Sequence, residues 1–320
     1  MRAKRKRTAV AVTVFLAAIV LVVLFVCYVS VFFLRNTKEE IIQNHLKENQ
    51  DVSGEYAPEQ EEIQTEAPPA IVNPEGMTLR NRICPPYGYE REEAGVSSLT
   101  SFLREYPLKK AGKPVRLYNG EKKYNQNAHI AVFKLPLENE DLQQCADSVI
   151  RVYAEYFWST KQWQRISFQF VDGFQADYDK WRKGYRIQSG EGGTNWMSGG
   201  TPDDSYRSFV KYLRMVFAYA STLSMEKESK KIELSKIRTG DIFLRAGSPG
   251  HVVMVVDICK TKEGKKAFLL GQGYMPAQEF HILKNPAHED DPWYYEEEVT
   301  DPFETPEYSF EKGSLRRLRY

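Results

Sequence analysis

Three side chains in this sequence are of the types that activate a thiol: Cys145, His251 and Gln272. A cysteine attacks as its thiolate, a histidine takes a proton near neutrality, and a third group must orient the imidazole. The cysteine stands in "DLQQCADSVIRVYAEYF", residues 141–157, which reads as a helix. Asp141, followed three residues later by Gln144, has the form of a capping box. That predicts Asp141 as the N-cap and Cys145 one turn inside, where free backbone N–H groups and the helix dipole favour a thiolate. Gln144 offers an amide to a developing oxyanion. In the competing reading Cys145 only fills space. Leu142, Cys145, Val149, Val152 and Tyr156 share one helical face, and free cysteine is among the most buried residue types.

His251 opens the apolar run "HVVMVVDI" straight after "AGSPG". A buried strand of Val and Met has no need of a histidine at its mouth, whereas a strand end is a rigid place to present a general base. The next strand ends in "FLLGQG", and antiparallel neighbours bring end and beginning together, so Gln272 is expected beside His251. An amide there holds the imidazole in one tautomer without adding charge. The competing reading of His251 is a turn histidine bonded to backbone.

Other residue types suit substrate contact. Trp181, Arg182, Tyr185 and Arg186 form a basic aromatic cluster able to clamp a carboxylate, although the reading that comes first for such a stretch is a packed Trp with surface charges. Trp196, in the Gly-rich stretch "SGEGGTNWMSGGTPDD", is a lid, a stacking platform for a glycan, or the anchoring aromatic of a disordered loop. Tyr274, Gln278 and His281 follow the last strand, where Tyr274, Pro276 and Gln278 either line a cleft or fix a turn. His281, His288, Glu289, Asp290 and Asp291 match no standard metal spacing, so no metal is expected. "GEGG" and "GSPG" lack the context and lysine of a phosphate loop, and no cofactor is expected. No basic aromatic face points to nucleic acid.

The elements that must position these groups are legible in outline. "SLTSFLREYPLKK" is a short helix ended by Pro107. "PVRLYNG" and "AHIAVFKLPL" read as strands with a turn at Asn119-Gly120, and "RISFQFVDGF" as another. "SYRSFVKYLRMVFAYASTLSMEKES" reads as one long helix with Tyr206, Phe209, Leu213, Val216, Phe217 and Ala220 on one face. "TGDIFLR", "HVVMVVDIC" and "KAFLLGQG" are three consecutive strands. The last forty residues, rich in proline and acid, look irregular. Helices followed by a run of adjacent strands predict an α+β domain with an antiparallel sheet packed on helices.

The chain has 320 residues, 42% hydrophobic and 13% aromatic, with a net charge of +1. It can bury a sizeable core, and its overall charge gives no pull toward nucleic acid or anionic surfaces. Residues 8–34 carry no charge and as a helix would span about 40 Å, against about 30 Å for a bilayer core. They are too long for a cleavable signal core and lack its cleavage pattern. The basic residues before them, Arg2, Lys4, Arg5, Lys6 and Arg7, predict a cytoplasmic N-terminus. The expected organisation is a basic tail over 1–7, a single-pass transmembrane signal anchor over 8–34, an acidic flexible stalk over 35–76 and an extracytoplasmic globular domain over 77–320. Cys84, Cys145 and Cys259 are then the cysteines outside the membrane. Their odd number leaves at least one unpaired within the chain and allows one disulfide.

Cysteine at a helix start, "GD" opening a strand, "GH" opening an apolar strand and a polar residue on the next strand together resemble the papain-like NlpC-type and CHAP amidases. That resemblance implies a papain-like fold with Cys145 as nucleophile, His251 as base and Gln272 as orienting group. "QC", Gln144-Cys145, is similar to CHAP domains. Roughly a hundred residues lie between Cys145 and His251, more than is typical there, and glutamine is a less usual third residue than His, Asn or Glu. "RICPPYGYER", "DLQQCADSVIRVYAEY", "WRKGYR", "SPGHVVMVVD" and "GYMPAQEFHILKNP" resemble, in order, the bacterial family known as domain of unknown function 4846. This implies a single unit from about Met77 to Tyr320 and no particular activity. The functional expectation is a membrane-tethered thiol hydrolase, a peptidase or amidase acting on cell-envelope peptides. The alternative is a non-catalytic module of the same fold that binds an envelope peptide or glycan through Trp196 and the Arg182–Arg186 region.

Overall fold

The computed structural model describes residues 70–320. The expected basic tail, transmembrane span and most of the stalk lie outside these residues. Among the described residues no helix is long and apolar enough to cross a membrane. Residues 71–76, assigned above to the stalk, are already part of the fold: the Cys84 amide donates to Ile71 O at 2.7 Å and the Asn73 amide to Arg82 O at 2.8 Å. Ile71 packs on the core, which is what draws this stretch in.

In chain order the elements are α1 (Leu79–Arg82), α2 (Leu99–Glu105), β1 (His129–Val132), α3 (Cys145–Ser159), β2 (Ser167–Gln169), β3 (Gln175–Asp177) and α4 (Tyr178–Arg182). There follow β4 (Arg186–Gly190), β5 (Gly193–Met197), α5 (Tyr206–Tyr219), α6 (Thr222–Lys227), β6 (Ser229–Lys231), β7 (Ile242–Arg245), β8 (His251–Lys260) and β9 (Lys266–Gln272). The chain closes with β10 (His281–Leu283), β11 (Tyr294–Tyr295), β12 (Phe303–Glu304), β13 (Ser309–Phe310) and β14 (Leu315–Leu318). The main sheet is antiparallel in the order β1-β10-β9-β8-β7-β14-β6, with β11 paired on β9. The α+β class with an antiparallel sheet against helices is as expected.

β8 is central and buried on both faces, so its run of Val and Met is continuous rather than alternating. The period of two still sorts the side chains. Val252, Met254 and Val256 face the core shared with α2, α3 and α5, together with Ile242, Leu244, Ala267 and Leu269. Val253 and Val255 face a second core with Phe243, Phe268, Leu270, Phe303, Phe310 and Leu315. Each fully buried aliphatic or aromatic side chain contributes about 1.5–3 kcal/mol.

Several expected elements are different in detail. The long helix breaks in two: Ala220 is extended, and the Ser221 hydroxyl caps α6 by accepting from the Leu223 amide at 3.1 Å. The Gly-rich stretch carrying Trp196 is a hairpin, β4–β5, with Ile187 opposite Trp196. "PVRLYNG" forms isolated bridges, Arg116 to Lys122 and Leu117 to Gln278, around the expected turn at Asn119-Gly120. The last forty residues are ordered. Tyr294, Phe303, Tyr308 and Phe310 cover the second face of the sheet, and β14 lies within the sheet between β7 and β6.

Candidate active site

The helix start comes first. α3 begins at Cys145 itself, with Gln144 extended as N-cap. The expected N-cap at Asp141 is corrected by three residues, to Gln144. The Asp141 carboxylate is taken elsewhere: Oδ1 accepts from the Ala277 amide at 2.7 Å and from Gln144 Nε2 at 3.1 Å. The cap is closed instead by Asp147, whose Oδ2 accepts from the Gln144 amide at 3.2 Å. Cys145 therefore occupies the first helical position, among backbone N–H groups with no partner inside the helix. The helix can sit this close to the sheet because residue 273 is glycine. A Cβ there would stand 2.0 Å from Ser148 Oγ and 3.2 Å from Gln144 O.

The strand side follows. His251 begins β8 and Gln272 ends β9, with Met254 opposite Gly271 in the ladder. His251 Nε2 and Gln272 Oε1 are 2.7 Å apart. Gln272 Nε2 donates to Glu307 Oε2 at 2.8 Å and lies 3.3 Å from His281 Nε2. Glu307 is salt-bridged to Lys123. His281 stands directly opposite Gln272 on β10. Its Nδ1–H donates to Glu279 O at 2.8 Å, so its Nε2 is a bare acceptor, reached by Lys123 Nζ at 3.5 Å. The His251 ring is packed by Tyr274, centroids 4.6 Å apart, and by Tyr308 at 4.9 Å. The "GH" step is tight as well: a Cβ on Gly250 would lie 2.4 Å from Gly247 O and 2.7 Å from Thr222 Oγ1.

Helix and strand meet at the mouth of β8. The Val252 backbone amide, next after His251, favours the Cys145 thiolate, as do the Cys145 and Ala146 amides. Burial and then Asp147 outweigh them and push the thiol up to about 11. Burial also pushes His251 down to about 4, against the Gln272 bond that raises it and with Lys123 lowering it further. The resting pair is thus a neutral thiol and a neutral imidazole. The thiol makes no hydrogen bond to the His251 ring among the described residues.

The other candidates fall into two groups. Tyr274 and His281 are at the site, and Gln278 is buried on the segment between them, its Nε2 without a partner. The four residues proposed to bind substrate from the helical side are packed there. Trp181 is buried and donates to Ser208 Oγ at 3.2 Å. Arg182 stacks on Trp163 at 4.3 Å, Arg186 on Trp181 at 4.7 Å, and Trp196 packs on Phe174 at 5.5 Å. Gln144 directs its amide to Asp141. His288 bonds Glu298 at 2.8 Å, and Asp291 accepts from Trp293 and Tyr295. Cys84, Cys145 and Cys259 are all free thiols.

Sequence reasoning missed Glu307, Lys123 and Tyr308. Glu307 lies 35 residues beyond Gln272, in a segment with no helical or strand period, and no local pattern marks it. The one usable signal is a lone acid between a proline and aromatics in "TPEYSF".

No curated protein and no solved structure matches this chain. A family model does, over residues 79–317, a stretch that takes in Cys145, His251 and Gln272, with Lys123, His281 and Glu307 around them. The chain belongs to the family described as domain of unknown function (4846).

Proposed function

We propose that the domain is a thiol hydrolase, a peptidase or amidase of cell-envelope peptides, on a papain-like scaffold tethered by residues 8–34. Cys145 is the nucleophile, His251 the base and Gln272 its orienting group. The observation that carries this reading is the 2.7 Å bond from His251 Nε2 to Gln272 Oε1 at the strand mouth against which the Cys145 helix begins. The bond uses Nε2 as donor and leaves Nδ1 as the ring's proton acceptor. In the first half-reaction the Sγ–H proton passes to His251 Nδ1 as Sγ bonds the substrate carbonyl carbon. The Cys145 and Ala146 amides at the helix start are positioned for the developing oxyanion. The C–N bond then breaks, His251 returns its proton to the leaving amine, and a thioester remains. Water attacks the thioester, giving one proton to His251 and then to the thiol, and the acid departs.

A neutral pair makes this general-base catalysis rather than attack by a preformed thiolate. The reading predicts how Cys145 is alkylated by iodoacetamide, followed on the full chain by mass spectrometry of its own peptide. In the wild type the rate is flat from about pH 5 to pH 9, because His251 stays an unprotonated base over that range. In His251→Ala it falls about tenfold per pH unit below the thiol's own pKa. A wild-type profile that tracks thiolate alone, unchanged by His251→Ala, sinks the catalytic reading.

The alternative is a peptide- or glycan-binding module of the same fold. Two observations favour it: among the described residues the thiol makes no hydrogen bond to His251, and a surface recess of about 340 Å³ is lined by Arg182, Lys183, Pro202, Asp203 and Asp204. In that case Cys145→Ala leaves binding of envelope fragments intact.

A further inference from the structure

Gln272 can face His251 with either end of its amide, and the end it chooses decides which imidazole nitrogen carries the proton. An oxygen facing Nε2 requires Nε2–H and leaves Nδ1 basic. A nitrogen facing Nε2 requires a bare Nε2 and puts the proton on Nδ1. We propose that Glu307, with Lys123 behind it, is a positioning residue that selects the Nε2–H tautomer of His251 through Gln272. This rests on the base role given to His251 above.

The selection follows from donors and acceptors. The Glu307 carboxylate accepts only, and its Oε2 takes Gln272 Nε2–H at 2.8 Å. His281 Nε2 is also an acceptor, because its Nδ1–H is held by Glu279 O, and it faces the second Nε2–H at 3.3 Å. Both amide hydrogens are thereby used on the side away from His251, and Oε1 is left for it at 2.7 Å. Lys123 holds the same carboxylate oxygen and is itself buried. The remaining neighbours of the His251 ring do not compete. Tyr274 and Tyr308 pack on it by their rings, Arg245 lies opposite it on β7 and is exposed, and Cys145 lies at the strand mouth.

Removing the acceptor has a definite consequence. In Glu307→Met, Lys123 keeps its donors and loses its carboxylate. Gln272 sits on the same carboxylate oxygen as Lys123, and its Oε1 can take the carboxylate's place if the amide turns over. Gln272 Nε2 then faces His251, and the ring proton moves to Nδ1, where it blocks proton uptake from the thiol. Removing the cation as well, in Lys123→Met/Glu307→Met, leaves His281 Nε2 as the acceptor and restores the original orientation. Glu307→Gln, which can keep an oxygen in place, preserves it too.

The test is ¹⁵N NMR of the full chain with ring-labelled histidine, in which His251 is assigned from a His251→Gln sample. The wild type is expected to show Nε2–H in more than about tenfold excess, and Glu307→Met the reverse excess, since hydrogen bonds to a charged group dominate the choice. The double variant and Glu307→Gln are expected to read as wild type. Cys145 alkylation at pH 7 should fall at least about tenfold in Glu307→Met and recover in the double variant. Should Glu307→Met not fold, Glu307→Ala carries the same expectation with a smaller side chain. A wild-type ring protonated on Nδ1, or a tautomer indifferent to loss of the carboxylate, overturns the proposal even if the thiol is active. A thiol indifferent to His251, with the tautomers switching as described, overturns the hydrolase reading and leaves this one standing.

Discussion

The two ends of β8 hold two buried polar clusters that differ in one respect. At the far end Asp257 is fully enclosed. Its carboxylate accepts from Arg91 Nε at 2.6 Å, Arg104 Nε at 2.7 Å and the Ile258 amide at 2.9 Å. The two guanidinium groups spend further donors on the carbonyls of Arg80, Ile83, Glu92 and Ile258. At the near end the chain from Lys123 through Glu307 and Gln272 to His251 is satisfied link by link until the last, where one imidazole nitrogen is left over. A closed cluster fixes α2 and the N-terminal segment to the sheet. An open one ends in an imidazole nitrogen with no hydrogen-bond partner among the described residues, the atom on which the proposed base role rests.

The sharpest way to break this contrast is to cut the closed cluster. Asp257→Ala leaves two guanidinium groups without their counter-ion, and uncompensated buried charge costs about 3–5 kcal/mol. Urea unfolding should report that loss, and a cost below about 1 kcal/mol would mean the cluster is no anchor.

Acid probes the open end. The folded state holds His251 near 4 while the unfolded chain titrates near the reference value of about 6.5. Between those values the unfolded state binds more protons. Stability from the neutral ring is therefore complete above about pH 6.5 and is lost as pH falls toward 4, by about 3 kcal/mol. His281 is lowered by burial in the same direction and adds to the slope. Unfolding free energies measured at several pH values should decline through this window, less steeply in His251→Gln. An identical slope in the variant would mean that His251 is not the buried neutral group described.

The smallest change is Gly273→Ala. Its Cβ meets Ser148 and must push the start of α3 off the sheet, at a cost of about 1–3 kcal/mol. Cys145 alkylation should slow along with the loss of stability. If only stability changes, the placement of the helix does not tune the thiol.

The sequence made some of this readable and hid the rest for physical reasons. The His251–Gln272 pairing was legible because strand length, a short connection and antiparallel geometry leave little freedom over twenty residues. The start of α3 was misplaced because a capping box is a local pattern. Asp141 had instead been recruited by Ala277, more than a hundred residues away. For Trp181 and Trp196 the sequence leaves packing and ligand contact both open, because burial of a large aromatic depends on neighbours that arrive from other segments. Lys123 and Glu307 come from parts of the chain where no periodicity exists, so nothing short of the fold brings them together.

The placement of β14 governs when this molecule becomes whole. Leu315 and Arg316 pair with Phe243 and Ile242 of β7, and Arg316, Arg317 and Leu318 pair with Lys231, Lys230 and Ser229 of β6. A chain made from its N-terminus exposes β6 and β7 with a strand-wide gap between them until residues 315–318 have been synthesised. Such unpaired edges are templates for the wrong partner. Contacts spanning this much sequence also form late. Completion of the sheet thus waits for residues 315–318, and a chain stopped at residue 312 presents two sticky edges in place of a continuous sheet.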